Sequence, residues 1–121
     1  MSLHVRLNDA TRNMLGTAQF ARMKRGAILI NTARGGLVDE DALVTVLKSG
    51  QVSGAGLDVF AQEPLPAGHP FLAMENVVMT PVSAWSTVDA SARMINQSIE
   101  NVAQFLSGTP INVVNSAALG A

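Results

Sequence analysis

Three side chains suited to anion binding or acid–base chemistry stand out from an otherwise apolar sequence: Arg34, Asp58 and Glu63. Arg34 comes directly after the run Ala27-Ile28-Leu29-Ile30-Asn31-Thr32-Ala33 and directly before two glycines. A guanidinium in that position presents a planar fork that can clamp a carboxylate through two parallel hydrogen bonds. Glu63 falls in the loop after the next apolar run. Residue types alone leave two readings open, a shared ligand site or a structural Arg34–Glu63 ion pair. Asp58 interrupts Gly56-Leu57-Asp58-Val59-Phe60, where an unpaired carboxylate is costly. It needs donors, which a ligand carboxamide or free backbone amides would supply equally well. Of the two histidines, His4 lies inside an apolar run and reads as a packed or backbone-bonded ring. His69, in Gly68-His69-Pro70, is the one suited to proton transfer, although its setting favours a loop role.

These side chains need a frame, and hydrophobic periodicity supplies one. Alternation over residues 3–7 predicts a strand that ends at Asn8-Asp9, and Thr17 caps a short helix over 18–24 that Gly26 stops. The run 27–31 reads as a strand buried on both faces. Asp39 is a helix N-cap, with Glu40 and Asp41 at the positive end and Leu43, Val46 and Leu47 as the buried stripe. A third strand lies within 52–60, a proline-rich loop covers 63–70, and a fourth strand over 76–80 is stopped by Pro81. Ser86 caps a long helix that runs to Gly108, with Asp89 in the capping-box position. Residues 116–121 read as a frayed end. Gly54-Ala55-Gly56 leads into a strand rather than a helix and lacks a third glycine, which excludes it as a phosphate loop. Strand–helix alternation implies an α/β fold with a parallel sheet and right-handed crossovers. Ligands in such sheets lie beyond the carboxyl ends of the strands. The exits at Asn8, Thr32 to Gly36, Asp58 with Glu63, and Thr80-Pro81-Val82-Ser83 would then share one cleft.

Composition narrows the function. The 121 residues suffice for one domain or part of one. No apolar stretch approaches the roughly 18 residues of a membrane span, and no export leader opens the chain. The absence of cysteine fits a cytoplasmic setting and excludes thiolate metal sites. A net charge of −1, with the charges dispersed, argues against a nucleic-acid partner. Charged residues make up 14% against a usual quarter or so, and hydrophobic residues 48%, which points to surface meant to be covered.

Asn31-Thr32-Ala33-Arg34-Gly35-Gly36-Leu37-Val38-Asp39-Glu40, followed by Gly56-Leu57-Asp58-Val59-Phe60-Ala61-Gln62-Glu63-Pro64, resembles the D-isomer-specific 2-hydroxyacid dehydrogenases. The resemblance runs over residues 3–115. It implies NAD(P)-dependent interconversion of small 2-keto acids and D-2-hydroxy acids on a Rossmann-like domain. By motif position, Arg34 would grip the substrate carboxylate. Glu63 would pair with a catalytic histidine and raise its pKa. Asp58, with backbone around Thr32 and Ala33, would hold the nicotinamide carboxamide, and Arg34, Ser83 and Ala84 complete the implied cofactor-binding set.

The sequence departs from the family in two ways. Thr80-Pro81 is followed by Val82 where the family has its catalytic histidine, and valine cannot donate a proton; a positioned acid contributes about 10²–10⁴ in rate. Ser83 or water would be the remaining donors. The sequence also opens where the family's nucleotide domain is half built, without the glycine-rich pyrophosphate loop, the acidic residue that reads the ribose, or the substrate domain. The expectation is a partial, second-half Rossmann-like domain over residues 1–115 that contacts only the nicotinamide end of NAD or NADP, binds it weakly and does not reduce keto acids alone. The alternative is a non-catalytic module that self-associates as a homo-oligomer or complements another chain through exposed sheet and helix faces.

Overall fold

The computed structural model describes residues 1–116. Strands β1 (Ser2–Leu3), β2 (Ala27–Asn31), β3 (Val52–Leu57) and β4 (Val77–Met79) form one sheet in that order, and every pairing is parallel. Helix α1 (Thr17–Ala21) joins β1 to β2. A 3-10 turn (Gly35–Leu37) and helix α2 (Glu40–Lys48) join β2 to β3, and a second 3-10 turn (Pro70–Ala73) precedes β4. Strands that step in one direction with crossovers of one hand place their connections on one face. Leu29, Asn31, Ala55, Leu57 and Val77 point to a buried face, where Phe20, Leu43, Leu47 and Phe71 complete the core. Successive side chains of a strand alternate between faces. The intervening Ile28, Ile30 and Val78 are accordingly 56%, 38% and 69% exposed. The expectation that β2 is buried on both faces is therefore corrected: one face is covered and the other is open.

The chain divides into two compact units, Met1–Ala84 and the part from Trp85 onward. The second contains helix α3 (Val88–Leu106), none of whose residues is buried. Side-chain bonds one turn apart, Gln97 to Asn101 and Gln104 to Glu100, support its polar side.

The α/β class and the parallel sheet agree with the sequence; several boundaries do not. The first strand stops at Leu3 rather than Leu7, because its partner ends at Asn31, opposite Leu3. Beyond it, Asn8 Oδ1 accepts from the amides of Ala10 and Thr11 and turns the chain. Helix α1 begins at Thr17 itself, with Gly16 as N-cap, and ends at Ala21, short of Lys24. Strand β3 ends at Leu57 and β4 spans Val77–Met79. Thr87, not Ser86, caps α3, its hydroxyl accepting the Ala90 amide at 3.1 Å. Asp39 caps α2 as expected, its Oδ1 accepting the Ala42 amide at 3.0 Å. Of the expected frayed end, 117–121 lie outside the described residues.

Candidate functional site

The site grows from the way β2 ends. Asn31 is 1% exposed, and its side chain closes the turn that follows, donating to the Arg34 carbonyl at 2.9 Å and accepting the Ala33 amide at 3.1 Å. That turn leaves Thr32 and Arg34 exposed at the carboxyl end of the sheet. One guanidinium nitrogen of Arg34, Nη1, donates to the Ala33 carbonyl at 2.6 Å. Its other N–H groups make no bond to the described residues and are available to an anion. Gly35 must lack a side chain, since a Cβ there would stand 1.9 Å from the Phe60 carbonyl carbon. The Arg34–Gly35 turn and the Phe60–Ala61 segment thus touch backbone to backbone.

At the exit of β3, Asp58 is 4% exposed, and both of its carboxylate oxygens accept hydrogen bonds. Its Oδ1 accepts from the Thr80 hydroxyl and, at 2.8 Å, from the Ser83 amide; its Oδ2 accepts the Ala84 amide at 3.0 Å. Burial by itself pushes this carboxyl up. The hydrogen bonds from Thr80, Ala84 and Ser83 together outweigh burial and hold it below the ordinary carboxylate range. Asp58 therefore remains charged at neutral pH and anchors the loop after β4, while Oδ2 retains an acceptor position. In that loop the Val82 amide donates to the carbonyls of Asp58 and Thr80, both at 3.1 Å, and Val82 takes φ 53°. A β-branched residue in the left-handed region is strained.

Glu63 is exposed, and its Oε1 accepts the Phe60 amide at 3.0 Å. It makes no ion pair with Arg34 among the described residues, so the purely structural reading of that pair is not what the fold displays. His69 Nε2 instead lies 3.5 Å from Glu40 Oε2, and Glu40 Oε1 also accepts the Ala61 amide at 2.8 Å. His69 is thus engaged at the end of the loop rather than presented for proton transfer. Sequence reasoning took Glu40 for a helix-end acid and did not find this role; no local pattern signals it. Thr80 was likewise read as a strand end, not as a donor to Asp58.

Arg34, Asp58, Glu63 and Val82 all follow carboxyl ends of strands in one parallel sheet, and surface depressions connect three of them. Arg34 borders a depression of about 600 Å³ with His4, Arg6, Thr32 and Ala33. Arg34 and Glu63 share one of about 450 Å³, and Glu63 and Val82 share one of about 430 Å³. Among the described residues no group of His, Asp and Glu could hold a metal ion, and no helix is long and apolar enough to cross a membrane.

A parallel α/β sheet with an arginine and two carboxylates at its carboxyl edge has its polar side chains where open α/β sheets bind ligands. Comparison with known proteins gives the family. Residues 1–84 match the family model for the D-isomer specific 2-hydroxyacid dehydrogenase, NAD binding domain. The chain is 48% identical over 118 residues to a glycerate dehydrogenase of Methylorubrum extorquens, covering 96% of this chain and 38% of that protein. It is 48% identical over 116 residues to a glyoxylate reductase of Korarchaeum cryptofilum, covering 95% and 35%. Among solved structures it is similar to a D-lactate dehydrogenase with NAD+ from Lactobacillus jensenii, with TM-score 0.84 and 39% identity over 93% of this chain and 38% of that one. A D-isomer specific 2-hydroxyacid dehydrogenase from Xanthobacter autotrophicus Py2, in complex with NADPH and MES, gives TM-score 0.80 and 40% identity over 92% and 45%. The chain belongs to the D-isomer specific 2-hydroxyacid dehydrogenase family and carries sequence of its NAD-binding domain. It spans little more than a third of the length of the curated relatives it matches.

Proposed function

We propose that this chain provides the nicotinamide and substrate-carboxylate side of an NAD(P)-linked site for small 2-keto and D-2-hydroxy acids, and that Val82 leaves this site without its proton donor. The observation that carries the reading is the shared rim: Arg34 with unused N–H donors, Glu63 beside it, and Val82 across the depression that Glu63 borders. Arg34 binds the substrate carboxylate through its free guanidinium edge. The residues present suit the nicotinamide end of a cofactor: Thr32 and Ala33 border the depression beside Arg34, and the free acceptor position of Asp58 Oδ2 suits a carboxamide N–H. Ser83 and Ala84 are held in place by Asp58, each through its backbone amide. A bound nicotinamide supplies the hydride. The side chain of Val82 carries no proton to give, which leaves Ser83 or water as the donor at this rim. Glu63, exposed and bonded to a backbone amide, has no titrating partner at that position. Hydride transfer is expected to be slow or absent; the cytoplasm is the expected setting.

Oxamate, a 2-keto acid isostere, tests the carboxylate clamp by calorimetry with NADH present. Binding that weakens at least about tenfold in Arg34→Gln is expected, given the 1.5–3 kcal/mol typical of a charged hydrogen bond. Equal binding by the variant would reject the role of Arg34.

A second reading, a non-catalytic assembly module, is favoured by the open sheet face formed by Ile28, Ile30 and Val78 and by the exposed apolar residues of α3, Ile95, Ile99, Val102 and Phe105. In that reading the chain self-associates or pairs with another chain. Light scattering that shows a monomer, without binding of an apolar-surface dye, would count against it.

A further inference from the structure

Glu40 does more than its position in the helix requires. As the first residue of α2 it meets the positive helix end, a task that Asp41 shares, and Asp39 already provides the cap. Yet its carboxylate reaches out of the helix. Oε1 accepts the amide of Ala61 at 2.8 Å, and Oε2 lies 3.5 Å from His69 Nε2, with both side chains only 16% exposed. The other ring nitrogen of His69 accepts the Phe71 amide at 3.3 Å, so the neutral ring carries its hydrogen on Nε2, facing Glu40. One carboxylate therefore ties both the start and the end of the 61–69 loop to α2. Glu63 hangs from the start of that loop, with its Oε1 on the Phe60 amide, and the Phe60 carbonyl and Ala61 nitrogen press against Gly35, next to Arg34.

We propose that Glu40, steadied by His69, is a positioning residue for the Arg34–Glu63 site. It holds the Phe60–Ala61 segment against the Arg34–Gly35 turn and so fixes where the Glu63 carboxylate lies relative to the guanidinium. The functional half of this inference rests on the reading of Arg34 and Glu63 as a keto-acid site; the geometric half does not. A helix-end acid alone would predict no dependence of Glu63 or Arg34 on Glu40, and it would make Glu40 and Asp41 interchangeable.

The test compares the whole chain with its Glu40→Ala, Glu40→Gln and Asp41→Asn variants, by amide NMR and by oxamate titration with NADH. Glu40→Ala is expected to displace the Phe60 and Ala61 amide resonances and to accelerate exchange of the Phe60 amide up to about tenfold, the worth of one hydrogen bond. It should also weaken oxamate binding several-fold. Glu40→Gln keeps the Oε1 acceptor and should recover most of both effects, while Asp41→Asn should show neither. An unchanged Phe60 amide in Glu40→Ala, or equal effects from Asp41→Asn, overturns the proposal. Should Glu40→Ala fail to fold, His69→Ala, which cuts the far tie, must still move the Phe60 amide; if it does not, the brace is refuted. Oxamate binding that is absent in wild type or indifferent to Arg34→Gln sinks the site reading instead, and the amide response then decides the brace alone.

Discussion

Asp58 is the polar side chain of the rim that ties Thr80, Ser83 and Ala84 together, through three hydrogen bonds to its carboxylate. Its carboxyl titrates below its unfolded value of about 3.9. The stabilisation it contributes is therefore fully present above about pH 4 and is lost as pH falls through the lower, folded pKa. Asp58→Asn places an N–H₂ among three donors and is predicted to cost about 2–3 kcal/mol at neutral pH. Urea unfolding at stepped pH should show the difference between wild type and variant shrinking in acid. Val82 gives the opposite expectation. Asn tolerates a positive φ better than a β-branched residue, so Val82→Asn should raise stability by about 1 kcal/mol, measured by thermal melting. Asp58 was conspicuous in the sequence because a charge inside an apolar run demands partners. Which partners it takes was not legible, because they come from the far side of the next strand.

Elements were legible where a local pattern and a tertiary demand agree. Asp39 and α2 follow from a cap, two acids and an apolar stripe; the fold places the cap, the acids, Leu43 and Leu47 as expected, while Val46 is only half-buried and Ala42 and Val44 are buried instead. Strand ends were misjudged where pairing decides: residues 4–7 alternate, but β2 offers them no partner beyond Asn31. The cap of α3 fell one residue off because Ser86 and Thr87 are equally competent by type. The Arg34–Gly35 turn was recognisable from its two glycines, but not the reason for the first. That reason predicts that Gly35→Ala, whose Cβ would meet the Phe60–Ala61 peptide, costs about 3 kcal/mol or more. Chemical denaturation measures the loss, and a near-neutral result would mean the two loops do not touch.

On the scale of the whole chain, the apolar composition has a visible counterpart. A parallel sheet normally has both faces covered, and here Ile28, Ile30 and Val78 form an open apolar strip. Val78→Lys should scarcely affect folding, because Val78 is already 69% exposed. It should lower dye binding and any self-association seen by light scattering; unchanged association would place the contact elsewhere. The family was readable from the paired motifs around Arg34 and Glu63, and the departure at Val82 from the same alignment of residues. What the substitution does to turnover is the central question, and Val82→His answers it most directly. With NADH and glyoxylate or hydroxypyruvate, the chain alone should show little or no cofactor oxidation, and in a full-length family context that supplies the pyrophosphate loop and substrate domain the variant should gain at least about 10²-fold over the same protein with Val82. Rapid turnover by wild type, or no gain in a variant that still binds oxamate, would contradict the account.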